Sequence, residues 1–186
     1  MSTPALKEWS AAVHAMLDGR QTVLLRKGGI GEKRFRVPAH VQARRFLLFP
    51  TVAHSHTDRV RVEHRDLLTP AAADSTEDAL TLRAGAKVVA AVEVTRPEAI
   101  GELEPMHIWT ADSVQADRLD FRPKHRLTVL VVQVSALTQP LRIDRTPQYG
   151  GCTSWVDLPV DPEWAQPVHD DAALAAVADS VRRSVG

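Results

Sequence analysis

Two cations and two glycines stand together in the sequence, directly after a short apolar run. Residues 21–27 are rich in Val and Leu and end on Arg26 and Lys27, which Gly28 and Gly29 follow. Glycine allows positive φ or close approach of another backbone, and adjacent amides in such a turn can hold an anion. The pattern therefore predicts a phosphate-binding turn. A purely structural turn is the alternative, because the segment lacks the spacing of a Walker-type loop.

Trp109 and Trp155 are the aromatic residues that we expect to accompany this turn. An indole ring stacks on any nucleic acid base, because every base has a π-face. The first hypothesis is therefore a module that binds nucleic acid or a nucleotide, in which the turn contacts phosphate and a tryptophan stacks on a base.

Residues that could catalyse a reaction or bind a metal follow the first two apolar strands. Glu32 comes after the glycine turn, and His54 and His56 follow the second run, residues 46–49. In an extended chain both histidines lie on one face and could share a metal; hydrogen-bonded loop histidines without a metal are the alternative. The second hypothesis is an enzyme, a hydrolase or nuclease, that uses Lys27, Glu32 and His54 as charge stabiliser, base or metal ligand. No cofactor is indicated.

Cys152 is the chain's only cysteine, which excludes an internal disulfide and a cysteine-based zinc site. It would be a candidate nucleophile if a histidine approached it. Most single cysteines are packed or inert, so a structural role is the alternative.

Charge is distributed unevenly, although the net charge is zero. Residues 20–65 hold eleven Lys and Arg against three acids, and residues 66–117 hold three against ten. The basic segment could be an electrostatic footprint for phosphate or nucleic acid. Alternatively, it packs against the acidic segment and is neutralised there.

The third hypothesis is a protein-interaction module without catalysis. In it, paired charges at the strand ends form buried salt bridges that fix the fold. The residues concerned are Glu8, Arg26, Lys27, Glu32 and Asp157.

Length and composition are those of an ordinary globular protein. The chain has 186 residues, of which 44% are apolar and 25% charged, enough for one domain with a core. It has no run of eighteen apolar residues, and Met1-Ser2-Thr3-Pro4 lacks the pattern of a signal peptide. We therefore expect a cytoplasmic protein that does not bind membranes.

Hydrophobic periodicity and capping residues predict the elements of the chain. Helices are expected at residues 3–18, from 97, from a cap at Thr110 or Asp112 to about 119, and at 170–185. Strands are expected at residues 21–27, 46–49, 59–63, 87–95, 106–110 and 126–137.

These elements predict an α+β fold with a mixed, mostly antiparallel sheet of five to seven strands. An N-terminal helix packs on the sheet, and residues 126–137 form a central strand covered on both faces. Residues 1–158 are expected to form a single domain, followed by a linker and C-terminal helix at 159–186. The apolar stripe of that helix would dock on the domain or on a second copy in a homodimer.

Six short motifs are spread along the chain. They are Ala5-Leu6-Lys7-Glu8-Trp9, Leu25-Arg26-Lys27-Gly28-Gly29-Ile30 with Glu32, Phe46-Leu47-Leu48-Phe49-Pro50-Thr51 with His54, Ile108-Trp109-Thr110, Arg118-Leu119, and Tyr149-Gly150-Gly151-Cys152-Thr153-Ser154-Trp155-Val156-Asp157-Leu158. In this order they resemble a bacterial family with a domain of unknown function, number 1802, over residues 5–158. Some relatives carry a restriction-endonuclease-like domain, so the resemblance implies a role in restriction or other DNA-related defence. The family more often has glutamine at the position of His56.

Overall fold

The computed structural model describes residues 1–28, 32–52 and 56–186. Its strands are β1 (Thr3–Trp9), β2 (Val23–Lys27), β3 (Phe46–Thr51), β4 (Ala79–Glu93), β5 (Leu127–Asp144), β6 (Trp155–Leu158) and β7 (Trp164–Pro167). Its α-helices are α1 (Ser10–Leu17), α2 (His56–Arg59), α3 (Leu68–Ala73), α4 (Ala111–Val114) and α5 (Asp171–Val185). The 3₁₀-helices are Val62–Leu67, Pro97–Met106 and Pro147–Tyr149, and Gln115–Asp120 is a π-helix.

All seven strands belong to one mixed sheet. The order is β2-β5-β4-β3-β1-β6, and β7 pairs with β5 beside β2. The β1–β3 pair is parallel and the other pairs are antiparallel. This confirms the predicted α+β class, with α1 near the N-terminus and α5 at the C-terminus.

The strand predicted at residues 126–137 is confirmed as an interior strand, although it lies second in the strand order and not at the centre: β4 is on one side, and β2 and β7 are on the other. Residues 127–132 of β5 are all buried, as expected for a strand covered on both faces. The strand runs further than predicted, to Asp144, and its second half alternates between exposed and half-buried residues. β5 therefore carries both the core and an extended two-stranded ribbon with β4.

The helix predicted at residues 3–18 is wrong in its first half, which is strand β1. Ala5, Leu6 and Lys7 are good helix formers, but they pair with β3 on one side and β6 on the other. Backbone pairing on both sides outweighs local propensity here. The helix starts at Ser10, and Gly19 closes it as predicted, with a φ of +79°.

The short strands predicted at 59–63 and 106–110 are also wrong. Val60 and Trp109 form an isolated bridge, and each lies outside a regular strand. The expected alternation fails because Val60 is fully buried whereas Val62 is exposed. The chain turns into a 3₁₀-helix after Arg61 instead of continuing as a strand.

The sheet is strongly curved. Two irregularities interrupt the pairing of β4 with β5, between Leu82 and Ala84 and between Val88 and Ala90, and such bulges bend and twist a strand. As a result β2, at one edge, approaches β1, near the opposite edge. The Arg26 side chain spans the gap and donates to the carbonyl oxygen of Lys7, at 3.0 Å.

The C-terminal helix packs on the body of its own chain. Its N-cap is Asp170, whose side chain accepts a hydrogen bond from the Ala173 amide. Its apolar stripe is buried against β4, β5 and the 3₁₀-helix Pro97–Met106; the stripe is Leu174, Ala178, Val181 and Val185. A homodimer through this helix would therefore have to use its other face. In the ranges that the structure describes, no helix is both long and apolar enough to cross a membrane.

Candidate functional site

The carboxyl ends of three strands, β1, β2 and β3, meet at one end of the curved sheet. β1 and β3 are parallel, so Trp9 and Thr51, at their carboxyl ends, pair with each other. The Thr51 hydroxyl donates to the Glu8 carbonyl oxygen, at 3.2 Å. Curvature brings Arg26, near the end of β2, to the same place.

Arg26 and Glu8 form an ion pair at these strand ends. Arg26 Nη1 lies 3.2 Å from Glu8 Oε2, and the side chains are 14% and 4% exposed. The second carboxylate oxygen accepts from the Trp9 amide, at 2.8 Å, and the Arg26 guanidinium also lies over the Phe35 ring. Losing either partner would leave a buried charge uncompensated, so removing one of them should destabilise the fold.

Three aromatic rings form a cluster beside the ion pair. The Trp9 ring lies 4.4 Å from the His56 ring and 4.9 Å from the Trp109 ring, between centroids. The Arg59 guanidinium covers the Trp9 ring at 5.3 Å. Burial, followed by the charge of Arg59, lowers the pKa of His56. His56 is therefore a neutral packing partner of Trp9 at neutral pH.

A π-helix places Asp117 and Arg118 beside the aromatic cluster. α4 begins at the predicted cap, where the Thr110 hydroxyl accepts from the Ser113 amide, and it continues into the π-helix Gln115–Asp120. Asp117 accepts a 2.6 Å hydrogen bond from Arg59 Nε. π-Helical turns are rare and often occur at functional sites.

Arg118, next to Asp117 in the π-helix, has no carboxylate partner among the described residues. Its Nη1 donates to the Asp117 carbonyl oxygen, at 3.3 Å. Burial, together with the charges of Arg26 and Arg59, lowers its pKa, and Glu8 and Asp117 oppose this effect. Guanidinium groups present five donors, so most of the donors of Arg118 remain available to a ligand.

A narrow cleft opens in front of Arg118. Its other lining residues include Trp9, Trp109, Arg59 and Asp117. Its volume is about 10 Å³, which is room for about one water-sized group. The cleft therefore fits a single oxygen of an anion and is too small for a nucleic acid base.

Lys27 and Gly28 lie beside the π-helix and the residues after it, with their polar groups engaged. The Lys27 amine donates to the carbonyl oxygens of Leu119, Phe121 and Arg122 and so holds the end of the π-helix. Burial, followed by the charge of Arg118, lowers its pKa. A Cβ atom at Gly28 would overlap the backbone at residues 32–34, so glycine is required for the predicted close approach.

The other predicted site residues are spread around the cleft or lie elsewhere. Gly29 and His54 fall outside the described residues. Glu32 is exposed and forms no ion pair with Lys27 in the described part of the chain. Cys152 is exposed on a loop and, within the same residues, makes no hydrogen bond to a histidine. Across residues 1–28, 32–52 and 56–186, no three His, Cys, Asp or Glu side chains are placed to hold a metal.

The two tryptophans predicted to stack on bases are engaged in packing. Trp109 is 7% exposed and lies edge-on to Trp9. Trp155 stacks on Phe35, at 6.4 Å between centroids, and lies edge-on to Phe46. The Trp155 indole nitrogen is buried, and no hydrogen-bond partner for it exists in the described ranges.

Sequence reasoning did not predict Trp9, Arg59 or Arg118 as site residues. Trp9 matches a helical stripe and was expected in the core. Arg118 has a signal in the sequence, because it belongs to one of the family motifs. Its lack of a carboxylate partner depends on distant elements, so spacing alone does not reveal it.

The basic segment is only partly neutralised by the acidic one. Arg20 pairs with Asp66, and Arg59 pairs with Asp117. In contrast, no ion pair is found for the basic residues of the loop before β3, within the described parts of the chain; these residues are Lys33, Arg34, Arg36, Arg44 and Arg45. Neutralisation by the acidic segment is therefore confirmed for part of the basic segment, and the binding of phosphate or nucleic acid by the rest stays a prediction.

Comparison with solved structures shows similarity to the ASCH protein from Zymomonas mobilis. The TM-score is 0.48 at 13% identity, with 83% of this chain and 86% of that chain covered. A mutant of the same protein gives a TM-score of 0.41 at 13% identity, with 74% and 72% covered. Among curated proteins, none matches the sequence.

The family comparison agrees with the motifs around the cleft. Glu8, Trp9, Arg26, Trp109 and Arg118 all belong to motifs by which the sequence resembles the family. The family match covers residues 5–180 and so continues beyond residue 158 into helix α5. The chain belongs to the family described as a domain of unknown function, DUF1802.

Proposed function

We propose that this chain is a nucleic-acid-binding or nucleotide-binding module that holds a phosphate group at the Arg118 cleft. The observation that carries the proposal is the partly buried guanidinium of Arg118, which has no carboxylate partner in the described residues. A buried charge without a partner costs stability. The presence of Arg118 at this position is explained if a ligand supplies the opposite charge.

The neighbouring charges favour an anionic ligand. Arg59 and Arg118 line the cleft, and the charge of Arg26 also acts on Arg118. Glu8 and Asp117 supply two negative charges against these three positive ones. The surplus positive charge is on Arg118. Its planar fork matches the geometry of phosphate oxygens.

The size of the cleft determines how the phosphate would bind. About 10 Å³ of space admits one phosphate oxygen between Arg118 and Arg59, so the rest of the ligand lies outside. Trp9 and Trp109 exclude water from one side of the contact, which strengthens the attraction. This arrangement binds an anion.

Calorimetric titration with pyrophosphate tests the proposal. We expect the wild type to bind it and Arg118→Gln to bind about tenfold more weakly or worse, because a hydrogen bond to a charged group contributes about 1.5–3 kcal/mol. Arg142→Gln, which removes an exposed charge on the far half of β5, is the control and should bind as the wild type does. Absence of binding to the wild type, or equal binding by Arg118→Gln, would refute the proposal.

A role in restriction or other DNA-related defence, which the resemblance implies, is compatible with such a module. It stays a prediction.

A further inference from the structure

Two basic segments that are distant in sequence form one surface beside the cleft. The Arg126 amide donates to the Lys33 carbonyl oxygen at 2.7 Å, and Arg34 and Arg126 form a parallel bridge. Arg122 Nη1 and His125 Nδ1 each lie 3.4 Å from the Gly28 carbonyl oxygen. We call the resulting surface the basic face; its cations are Lys33, Arg34, Arg36, Arg122, Lys124 and Arg126.

Most charges of the basic face are uncompensated. Arg126 pairs with Glu93, but in the described residues none of the other five cations forms an ion pair. Lys33, Arg34 and Lys124 are exposed to solvent. Such a concentration of free positive charge attracts a polyanion and releases the counterions condensed on it.

A groove with an apolar floor runs along the basic face. Two adjoining parts of about 640 and 630 Å³ share Arg34, Arg36 and Glu93 as lining residues. The floor of the first part includes Val88, Val89 and Ala91 of β4; Val89 is 40% exposed. The groove therefore offers apolar surface between its cations.

An exposed aromatic ring stands at the other end of the basic face. Phe121 is 52% exposed, and the Arg122 guanidinium lies 4.9 Å from the centre of its ring. A large exposed ring of this kind can stack on a base, and the arginine adds a favourable cation–π contact.

We propose that the basic face binds a single strand of nucleic acid whose backbone continues into the Arg118 cleft. Cations spaced along a groove suit successive phosphates, and the apolar floor and Phe121 suit bases. A duplex hides its bases from such a floor, so unpaired bases fit better. Arg26 connects the two regions, because its guanidinium lies over Phe35, which lines the groove, and its charge acts on Arg118. This inference rests on the proposed function and assigns its ligand class.

Fluorescence anisotropy with a labelled single-stranded oligonucleotide of about twelve nucleotides, titrated in salt, tests the inference. The test variant is Arg34→Ser/Arg36→Ser/Lys124→Ser. Each phosphate contact contributes about 0.7 to the slope of log K against log salt. We therefore expect the triple variant to lower the slope by about 2 and to weaken binding at every salt concentration.

The matched control is Arg65→Ser/Arg142→Ser/Arg182→Ser, which removes the same charge at exposed positions outside the groove. It should keep the wild-type slope. Equal slopes for the two triple variants, or tighter binding to a duplex of the same sequence than to the single strand, would overturn the inference.

Pyrophosphate separates this inference from the proposed function. The test variant should still bind pyrophosphate as the wild type does, because the Arg118 cleft is intact. If the wild type binds pyrophosphate but no oligonucleotide, the single-strand inference fails while the phosphate site stands. Suppose instead that the wild type binds an oligonucleotide, that the test variant lowers the slope as predicted, and that the wild type does not bind pyrophosphate. The cleft proposal then fails and the basic face stands.

Discussion

Buried His107 contributes to how this fold responds to pH. His107 is 3% exposed, and its Nδ1 accepts a hydrogen bond from the Trp109 amide, at 3.1 Å. Burial, followed by the charges of Arg61 and His64, lowers the pKa of His107 to about 4. The folded protein therefore needs this imidazole neutral, and the contact fixes the position of Trp109 beside the cleft.

Acidification should destabilise the protein through His107. The unfolded chain binds this proton with a pKa near 6.5 and the folded chain with one near 4, so the unfolded state holds more protons between these values. Stability should rise with pH across this window, and ~3 kcal/mol should be lost as pH falls through it. Urea denaturation at a series of pH values measures the slope.

His107→Asn is the matched variant for this measurement, because asparagine keeps an acceptor for the Trp109 amide but does not titrate. It should reduce the slope between pH 4 and 6.5 and leave the part contributed by His56 and His64, whose pKa values burial also lowers. An unchanged slope in the variant would show that other groups cause the dependence.

The prediction of individual residues from sequence succeeded where the chemistry is local. The Thr110 and Asp170 caps are confirmed, because a cap needs only the next three residues. The role proposed for Arg118 was not predicted, because the chain has many arginines and only the tertiary structure shows that this one lines the cleft.

Among the elements, strand β4 depends on one glycine for its packing. A Cβ atom at Gly85 would overlap the Trp164 ring and the Phe46 carbonyl oxygen. Trp164 belongs to β7, which pairs with β5. The absence of a side chain at Gly85 thus lets the C-terminal segment lie across the sheet.

Gly85→Ala should destabilise the protein by about 2 kcal/mol, because the added methyl group forces Trp164 or β3 to move. Gly101→Ala is the control: a Cβ atom there has nothing within 4 Å, and the change should stay within about 0.5 kcal/mol. Urea denaturation of both variants tests the difference. Equal stability of the two would mean that Trp164 moves aside without cost.

Elements were predicted well where the sequence pattern has one interpretation. β2, β3 and β5 follow from continuous apolar runs. β1 was missed because its residues are good helix formers, and the partners that make it a strand, β3 and β6, are far away in sequence.

At the scale of the whole molecule, the last helix completes the core. Leu174, Ala178, Val181 and Val185 belong to the same hydrophobic cluster as α1 and β5. The Val185 carbonyl oxygen also accepts from the amides of Thr95 and Arg96. These contacts make α5 part of the body that carries the site.

Leu174→Ala should destabilise the whole chain by about 3 kcal/mol, because it leaves a cavity beneath α5. Unfolding should still occur in a single transition. Val168→Ala, at a 36% exposed position, is the control and should cost less than about 1 kcal/mol. A separate early transition, with the main one unchanged, would instead indicate an appended helix.

For the whole molecule, the sequence predicted two alternatives for the basic segment and could not decide between them. The sequence shows a basic and an acidic segment, and neutralisation or ligand binding could follow. Arg20 and Arg59 pair with acids of the second segment, whereas the loop before β3 keeps its charge. Which arginines are neutralised depends on the curvature of the sheet, which the sequence pattern does not specify.

The most direct test of the central claim compares the stability of two arginine variants. Arg26 has a buried carboxylate partner, so Arg26→Met should destabilise the protein by ~3 kcal/mol. If Arg118 is retained for a ligand, Arg118→Met should leave stability unchanged or raise it, while pyrophosphate binding is lost. A loss of stability for Arg118→Met as large as that for Arg26→Met would contradict the account, because Arg118 would then serve the fold.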